Sequence, residues 1–362
     1  MIKEIGSEFI NESNKEKSGL SFKKCLKYGV GNKEFYLSGR TALDAIIKDI
    51  KKTKKVNCAY LPEYCCDSML SPFIENNIKV RFYGVNIIKG NLSFDSFKND
   101  TNDIVYLMDY FGYASGQLAA IIKKNKGIII QDCTHSFFQS DPYSEKAHYY
   151  YASLRKWTSI PAAALAVNQK DVFQIKPQKK NENYIFLRKE ATRIKTEYIT
   201  DQKKMKKDQF LTAFKKAEEM LDQDYMDYKA DMESIQMIEH LDIENIRKKR
   251  IANASFLLEG LKKIEFVRPL FFRVKKGDCP LFVPILVDEE YRDKLQKYLV
   301  KKEIYVPIHW FLTELHQKIG VLNHKLYDCE LSLICDQRYN KKDMKRILYE
   351  LLSFEKKYVR EV

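Results

Sequence analysis

Between residues 35 and 170, short runs of β-branched and aromatic residues alternate with stretches of helical periodicity, and several of the runs carry no polar face. A strand that is apolar on both sides must be covered on both sides, which calls for helices above and below a sheet. The runs VNCAYLP (56–62), KVRFYGVN (79–86), DIVYLMDYFG (103–112), GIIIQDC (127–133), HYYYASL (148–154) and AAALAVN (162–168) are predicted as strands. Thr41–Lys52, Ser68–Asn76 and Gln117–Lys124 are predicted as helices between them, giving an α/β fold with a mostly parallel sheet. From 205 to 263 the texture changes to long helical periodicity, followed by strands in CPLFVPILV (279–287) and around IYVPIHW (304–310), with helices near 289–301 and 341–354. The chain is therefore expected to form a large domain over 1–240, with an N-terminal arm, and a smaller α+β domain over 241–362. It has no internal repeat and no Gly/Ser-rich linker, so the domains are expected to share a helix and not a tether.

A chain of 362 residues that is 45% hydrophobic can bury a large core. Its longest apolar runs fall well short of the roughly 18 residues a membrane span needs, and MIKEIGSEFINE holds no apolar signal core, so a cytoplasmic protein without a membrane partner is expected. The eight cysteines include the adjacent Cys65 and Cys66 but show no CxxC pair and no His/Cys ligand spacing, which points to free thiols and no metal site. The formal charge of +14 is spread in solvated runs such as KKTKK and KKMKK, without a recognition-helix or aromatic-basic pattern, so nucleic acid is not the expected partner. A basic, cofactor-free binding protein is nonetheless the alternative from outside the enzymes.

In open α/β sheets ligands gather beyond the C-terminal ends of the strands, and three groups of residues fall at such ends. YLSGRTALDAI places Ser38, Gly39, Arg40 and Thr41 at a helix start, which suits either a phosphate or an ordinary N-cap followed by a surface arginine. IIIQDCTHSFF puts Asp132 at the end of a buried strand with His135 close behind; the carboxylate either caps the next turn or meets a cation. Lys156, in HYYYASLRKW, either snorkels to water along its apolar stem or has its amine held neutral and nucleophilic by its surroundings.

Taken in this chain order, a phosphate turn, a strand-end aspartate and a lysine resemble the fold-type I enzymes that use pyridoxal phosphate. The details resemble the DegT/StrS-type aminotransferases: IKEIGSEF is similar to the family's opening, SGRTAL to its SGTAAL phosphate turn, LPEYCCDSM to its Pro-led stretch and QDCTHSF to its EDAAH/Q segment. ASLRKW is similar to the strand end that bears the Schiff-base lysine, IYVPIHW to the segment that brings a histidine to substrate, and ICDQRYNKKDM to the closing helix start.

The resemblance implies a homodimer whose large domain binds pyridoxal phosphate, with Lys156 as Schiff-base lysine and general base, Asp132 on the pyridine nitrogen, and Gly39, Arg40 and Thr41 on the phosphate. His135 would contact the cofactor and His309 the substrate. It further implies amino transfer from an amino acid, glutamate being the expected donor, to a nucleotide-linked keto sugar in surface polysaccharide or amino-sugar synthesis. Three departures stand out. The family's serine five residues before the lysine is Tyr151, leaving Ser153 as the phosphate hydroxyl; GEGG after the lysine is SIPAAALAV; and the aromatic that stacks on the cofactor is Cys66, leaving Tyr64 to supply a ring face. These departures keep open a pyridoxal phosphate enzyme of another reaction or with a non-sugar substrate.

Overall fold

The computed structural model describes residues 4–11, 32–88, 91–114, 121–140, 145–201, 205–321 and 323–360. Its centre is a seven-stranded sheet made of β1 (Asn32–Tyr36), β2 (Cys58–Pro62), β3 (Lys79–Tyr83), β4 (Ile104–Met108), β5 (Ile128–Asp132), β6 (Tyr149–Ser153) and β7 (Ala164–Asn168). The strand order is β1-β7-β6-β5-β4-β2-β3, and every neighbouring pair is parallel except those made by β7, which runs antiparallel to both β1 and β6. All five residues of β2, β4, β5 and β7 are buried, as strands apolar on both faces require.

Each predicted strand is present but shorter at its ends. Gly84 ends KVRFYGVN as a sheet strand, and the chain continues as the hairpin Val85–Ile88/Asn91–Phe94. The helices Gly39–Thr53 and Asp67–Glu75 stand where expected. Of the predicted helix Gln117–Lys124, residues 121–124 are helical and the rest lies outside the described residues.

The helix Glu182–Thr200 was not predicted, and its burial shows why: Arg188, Thr192 and Lys195 are buried beside Tyr184, Ile185 and Ala191, so no apolar stripe marks the buried face. It packs against the helix Lys207–Gln223.

A second core lies around the three-stranded sheet Val267–Pro269, Val283–Val287 and Glu330–Leu333, covered by the helices Ile243–Leu261, Glu289–Lys301 and Lys341–Tyr358. Residues of the helix Ile243–Leu261 pack in both cores. Ile243 and Ile246 pack with Trp157 and Leu165 near β6 and β7, while Ala254, Leu257 and Leu258 pack in the second core. We propose the domain boundary at the turn into this helix, near residue 240. Ile5, from the expected N-terminal arm of the large domain, packs in the second core, where Ile5–Gly6 pairs in parallel with Ile304–Tyr305.

The seven described cysteines are free; Cys25 lies outside the described residues. Among the described residues no cluster of His, Cys, Asp and Glu could hold a metal, and no helix is long and apolar enough to cross a membrane.

Candidate active site

The parallel strands β2, β5 and β6 end at one side of the sheet, where the first turn of Gly39–Thr53 and the second core enclose a cavity of about 710 Å³. Lys156 closes the single helical turn Leu154–Lys156 directly after β6. The next residue fixes that turn from below. Trp157 is 0% exposed, its indole N–H donates to Thr134 O at 2.7 Å, and the Arg250 guanidinium lies 4.7 Å over its ring.

The apolar bracket around Lys156 thus belongs to its neighbours, while the lysine itself opens into the cavity. Solvent can reach the side chain from the cavity, yet protein surrounds it, and this enclosure together with the Arg155 charge lowers the ammonium below the usual lysine range; Glu218 and Glu8 oppose the shift. Arg155, on the same cavity wall, forms a two-pronged pair with Glu218, whose Oε2 accepts from Nη2 at 3.0 Å; Arg188 also donates to Glu218, at 3.3 Å. Burial alone would raise the Glu218 carboxyl, but Arg155, Arg188 and Lys156 bring it down to about 2.

Asp132 ends β5 at 2% exposure on the cavity wall. Its Oδ1 accepts the Thr134 N–H at 2.7 Å, and its Oδ2 accepts the hydroxyls of Tyr106 at 2.6 Å and Tyr151 at 3.0 Å. Burial raises its pKa and these bonds oppose the rise. Asp132 therefore caps the next turn, and it also lines the cavity. Tyr106 was missed. A tyrosine in the otherwise aliphatic IVYLM was the available signal, since a buried phenol needs a partner.

At the phosphate turn, Ser38 caps its own helix by accepting the Thr41 N–H at 3.2 Å, and the first intrahelical bond runs from Ala42 N–H to Ser38 O at 3.0 Å. The N–H groups of Gly39 and Arg40 precede that bond at the positive end of the helix dipole. A Cβ on Gly39 would come within 3.1 Å of Ser153 Cβ and 3.5 Å of the Tyr151 ring, so glycine lets this turn close against β6. Ser153 lines the cavity beside it.

Arg40 also lines the cavity, but one prong of its guanidinium is bound to Asp222 at 2.8 Å, while its buried Nε has no partner. The expectation for Thr41 needs correction. It is 1% exposed and does not line the cavity, because its hydroxyl lies 2.9 Å from that of Ser38 within the cap.

Tyr64 also departs from expectation. It is 1% exposed and packs behind the wall, its ring 5.1 Å from Trp310 and 5.6 Å from Tyr110, so its face is not presented to the cavity. Cys66 does line the cavity, its thiol 2.9 Å from the Ser68 hydroxyl. Ring faces come from elsewhere, as His135 stacks with Trp310 at 5.7 Å and 25°. His135 is 4% exposed and accepts the Phe111 N–H at Nδ1, 3.2 Å away. Burial, then the charges of His309 and Lys156, hold its pKa well below the usual histidine range. His309 reaches the same cavity from the second core, its ring 5.8 Å from that of His135.

The structure thus brings Lys156, Asp132, His135, Gly39, Arg40, Ser153 and His309 to one cavity and leaves Thr41 and Tyr64 outside it. These residues fit pyridoxal phosphate. A lysine with a lowered pKa opens into the space, a carboxylate stands on its wall, and a glycine turn offers amides beside a serine hydroxyl. Asp132 Oδ2 already carries two hydroxyls, so Oδ1, with one bond from Thr134, is the oxygen open to a ring N–H.

No protein-family profile and no curated protein matches the sequence. Solved structures do match in fold. The putative sugar aminotransferase Spr1654 of Streptococcus pneumoniae, in its PLP form, superposes with a TM-score of 0.66 at 10% identity over 98% of this chain and 99% of its own. Helicobacter pylori PseC, an aminotransferase of pseudoaminic acid biosynthesis, gives 0.65 at 14% identity, covering 97% and 99% of the two chains. A DegT DnrJ EryC1 StrS aminotransferase from Brucella abortus gives 0.59 at 13% identity, covering 92% and 88%. Over nearly its whole length the chain has the fold-type I architecture of the sugar aminotransferases of the DegT/DnrJ/EryC1/StrS type.

Proposed function

We propose that the protein is a pyridoxal phosphate-dependent aminotransferase that passes an amino group from an amino acid, glutamate first among donors, to a nucleotide-linked keto sugar. The observation that carries this reading is the meeting of Lys156, Asp132 and the Gly39 turn at one cavity, in a fold shared with sugar aminotransferases. The cofactor, when bound, supplies an electron sink for carbanion chemistry at an amino-acid α-carbon. Lys156 holds it through its amine and, once released, moves the α-proton at Nζ. Asp132 keeps a proton on the ring nitrogen, Gly39 and Ser153 orient the phosphate, and His135 and Trp310 bound the ring. A cavity of about 710 Å³ has room for a second ligand. Assembly as a homodimer, a cytoplasmic location and a role in surface polysaccharide or amino-sugar synthesis belong to the same proposal and rest on the resemblance.

A pyridoxal phosphate enzyme of another reaction is the second reading, favoured by Tyr151, whose hydroxyl bonds to Asp132 where the resembled family has a serine. Adding glutamate to the loaded protein separates the two: conversion of its visible absorption to that of the pyridoxamine form is expected, and a spectrum that does not change favours the second. Protein that takes up no pyridoxal phosphate would favour a basic binding protein instead.

Arg40→Ala is expected to weaken cofactor affinity by about 1–3 kcal/mol, because a charged donor next to the phosphate turn is lost. Unchanged affinity in a titration would leave the phosphate to the backbone amides and Ser153 alone.

A further inference from the structure

His309 carries its two ring nitrogens into different surroundings. Its Nδ1 lies 3.0 Å from Ser332 Oγ, and that hydroxyl lies 2.6 Å from Glu330 Oε1. The other oxygen of Glu330 accepts the backbone N–H of His309 at 2.7 Å, which holds the carboxyl against the histidine. Glu330 and Ser332 are two residues apart in the strand Glu330–Leu333, so they share a face, and both are 0% exposed. A carboxyl, a hydroxyl and an imidazole thus form a row from the buried interior of the second core to the cavity wall.

A serine has one proton to donate. When Glu330 is ionised, Ser332 donates to it and must accept from His309, which places the imidazole proton on Nδ1 and leaves Nε2 bare. When Glu330 carries a proton, the row reverses: the carboxyl donates to Ser332, Ser332 to Nδ1, and the imidazole proton sits on Nε2. The protonation of Glu330 therefore selects the tautomer of His309.

We infer that Glu330, Ser332 and His309 form a proton relay, in which His309 takes a proton from a group in the cavity at Nε2 while its own Nδ1 proton passes to Ser332 and the serine proton passes to Glu330. The donor's bond to hydrogen, Nδ1–H and the serine O–H break; Nε2–H, a new serine O–H and the carboxyl O–H form. The imidazole stays neutral throughout, and the net change is the transfer of one proton from the cavity group, left as its conjugate base, to the Glu330 carboxylate, which becomes a carboxylic acid. The reverse passage delivers a proton to the cavity.

Such a device answers a constraint of the site. Burial, then the Lys156 charge, hold the His309 imidazolium down to about 3, so the ring cannot act as acid or base by becoming charged. Glu330 can hold the proton instead: burial raises its carboxyl to about 8, against the bonds from Ser332 and His309 and the charge of Arg292. Lys156 and His135 face the ring from the large domain, and Tyr64 lies near the carboxyl; burial holds the His135 imidazole well below the usual histidine range and the Tyr64 phenol well above the usual tyrosine range. In the relay Glu330 and Ser332 are positioning residues that act through His309.

Use of the relay in catalysis rests on the functional reading above, whereas the link between tautomer and carboxyl does not. ¹⁵N spectra of the full chain labelled at histidine, with His309→Asn to assign the signals, would be recorded from about pH 6 to 10. In the native chain the His309 proton is expected to move from Nε2 to Nδ1 with a midpoint near 8. Glu330→Gln should fix it on Nε2 at every pH, because the amide donates to Ser332 throughout. Ser332→Ala should abolish the transition and Ser332→Thr should restore it, while unchanged His135 signals report an intact fold. A His309 tautomer that stays constant in the native chain, or titrates equally in Glu330→Gln, overturns the relay. A native chain that shows the transition but takes up no pyridoxal phosphate keeps the relay and overturns the functional reading.

Discussion

Replacing Lys156 by alanine is expected to abolish both the visible absorbance of the pyridoxal phosphate-loaded protein and all turnover, with the melting temperature nearly unchanged. The first two effects follow from losing the only amine proposed to hold the cofactor. The third follows from the division of labour in the turn: Trp157, Leu154 and Arg250 supply its packing, while Lys156 opens into the cavity. The amine also predicts a pH dependence. Only the neutral amine attacks a carbonyl, so cofactor attachment should speed up as pH rises through the Lys156 pKa, at a midpoint below the 10.5 of a free lysine because enclosure and Arg155 lower it. A Lys156→Ala protein that keeps both absorbance and turnover would remove the central assignment.

Chain order and strand patterning were legible because a buried parallel strand leaves little choice of residues. β4, β5 and β7 declared themselves, and with them the positions of Asp132 and Lys156 beyond strand ends. What was not legible depended on side chains that turn unexpectedly. Thr41 belongs to a helix cap and not to the cavity, since its backbone N–H and hydroxyl are both drawn to Ser38. Tyr64 looked like the aromatic nearest to Cys66, but Trp310, from the other end of the sequence, covers it. Glu330 could not have been found from its own stretch. The strand Glu330–Leu333 was not predicted, and the carboxylate at its head gains meaning only when His309 arrives beside it through tertiary packing. The charged pair Arg155–Glu218 joins residues far apart in the chain for the same reason.

Asp132→Asn is expected to leave cofactor binding in place and remove most of the rate. The carboxylate accepts three bonds, from Thr134 at 2.7 Å, Tyr106 at 2.6 Å and Tyr151 at 3.0 Å. An asparagine can keep its oxygen toward the Thr134 N–H and turn its amide toward the two tyrosines, whose hydroxyls can rotate to accept, so the fold should lose little. The negative charge is what disappears. A neutral amide cannot hold a proton on the ring nitrogen, so negative charge developing when Lys156 takes the α-proton is no longer drawn into the ring. Loss of such a preorganised partner raises a barrier by about 3 kcal/mol or more, over a hundredfold in rate. Tyr151→Phe, which removes one bond and leaves the charge, should cost far less, about 1 kcal/mol. The glutamate half-reaction and the melting temperature, measured on both variants, separate chemistry from architecture. If Asp132 served only as the turn cap that its Thr134 bond makes it, Asp132→Asn, which keeps that bond, would leave the rate per folded molecule near normal, and that result would end its proposed role.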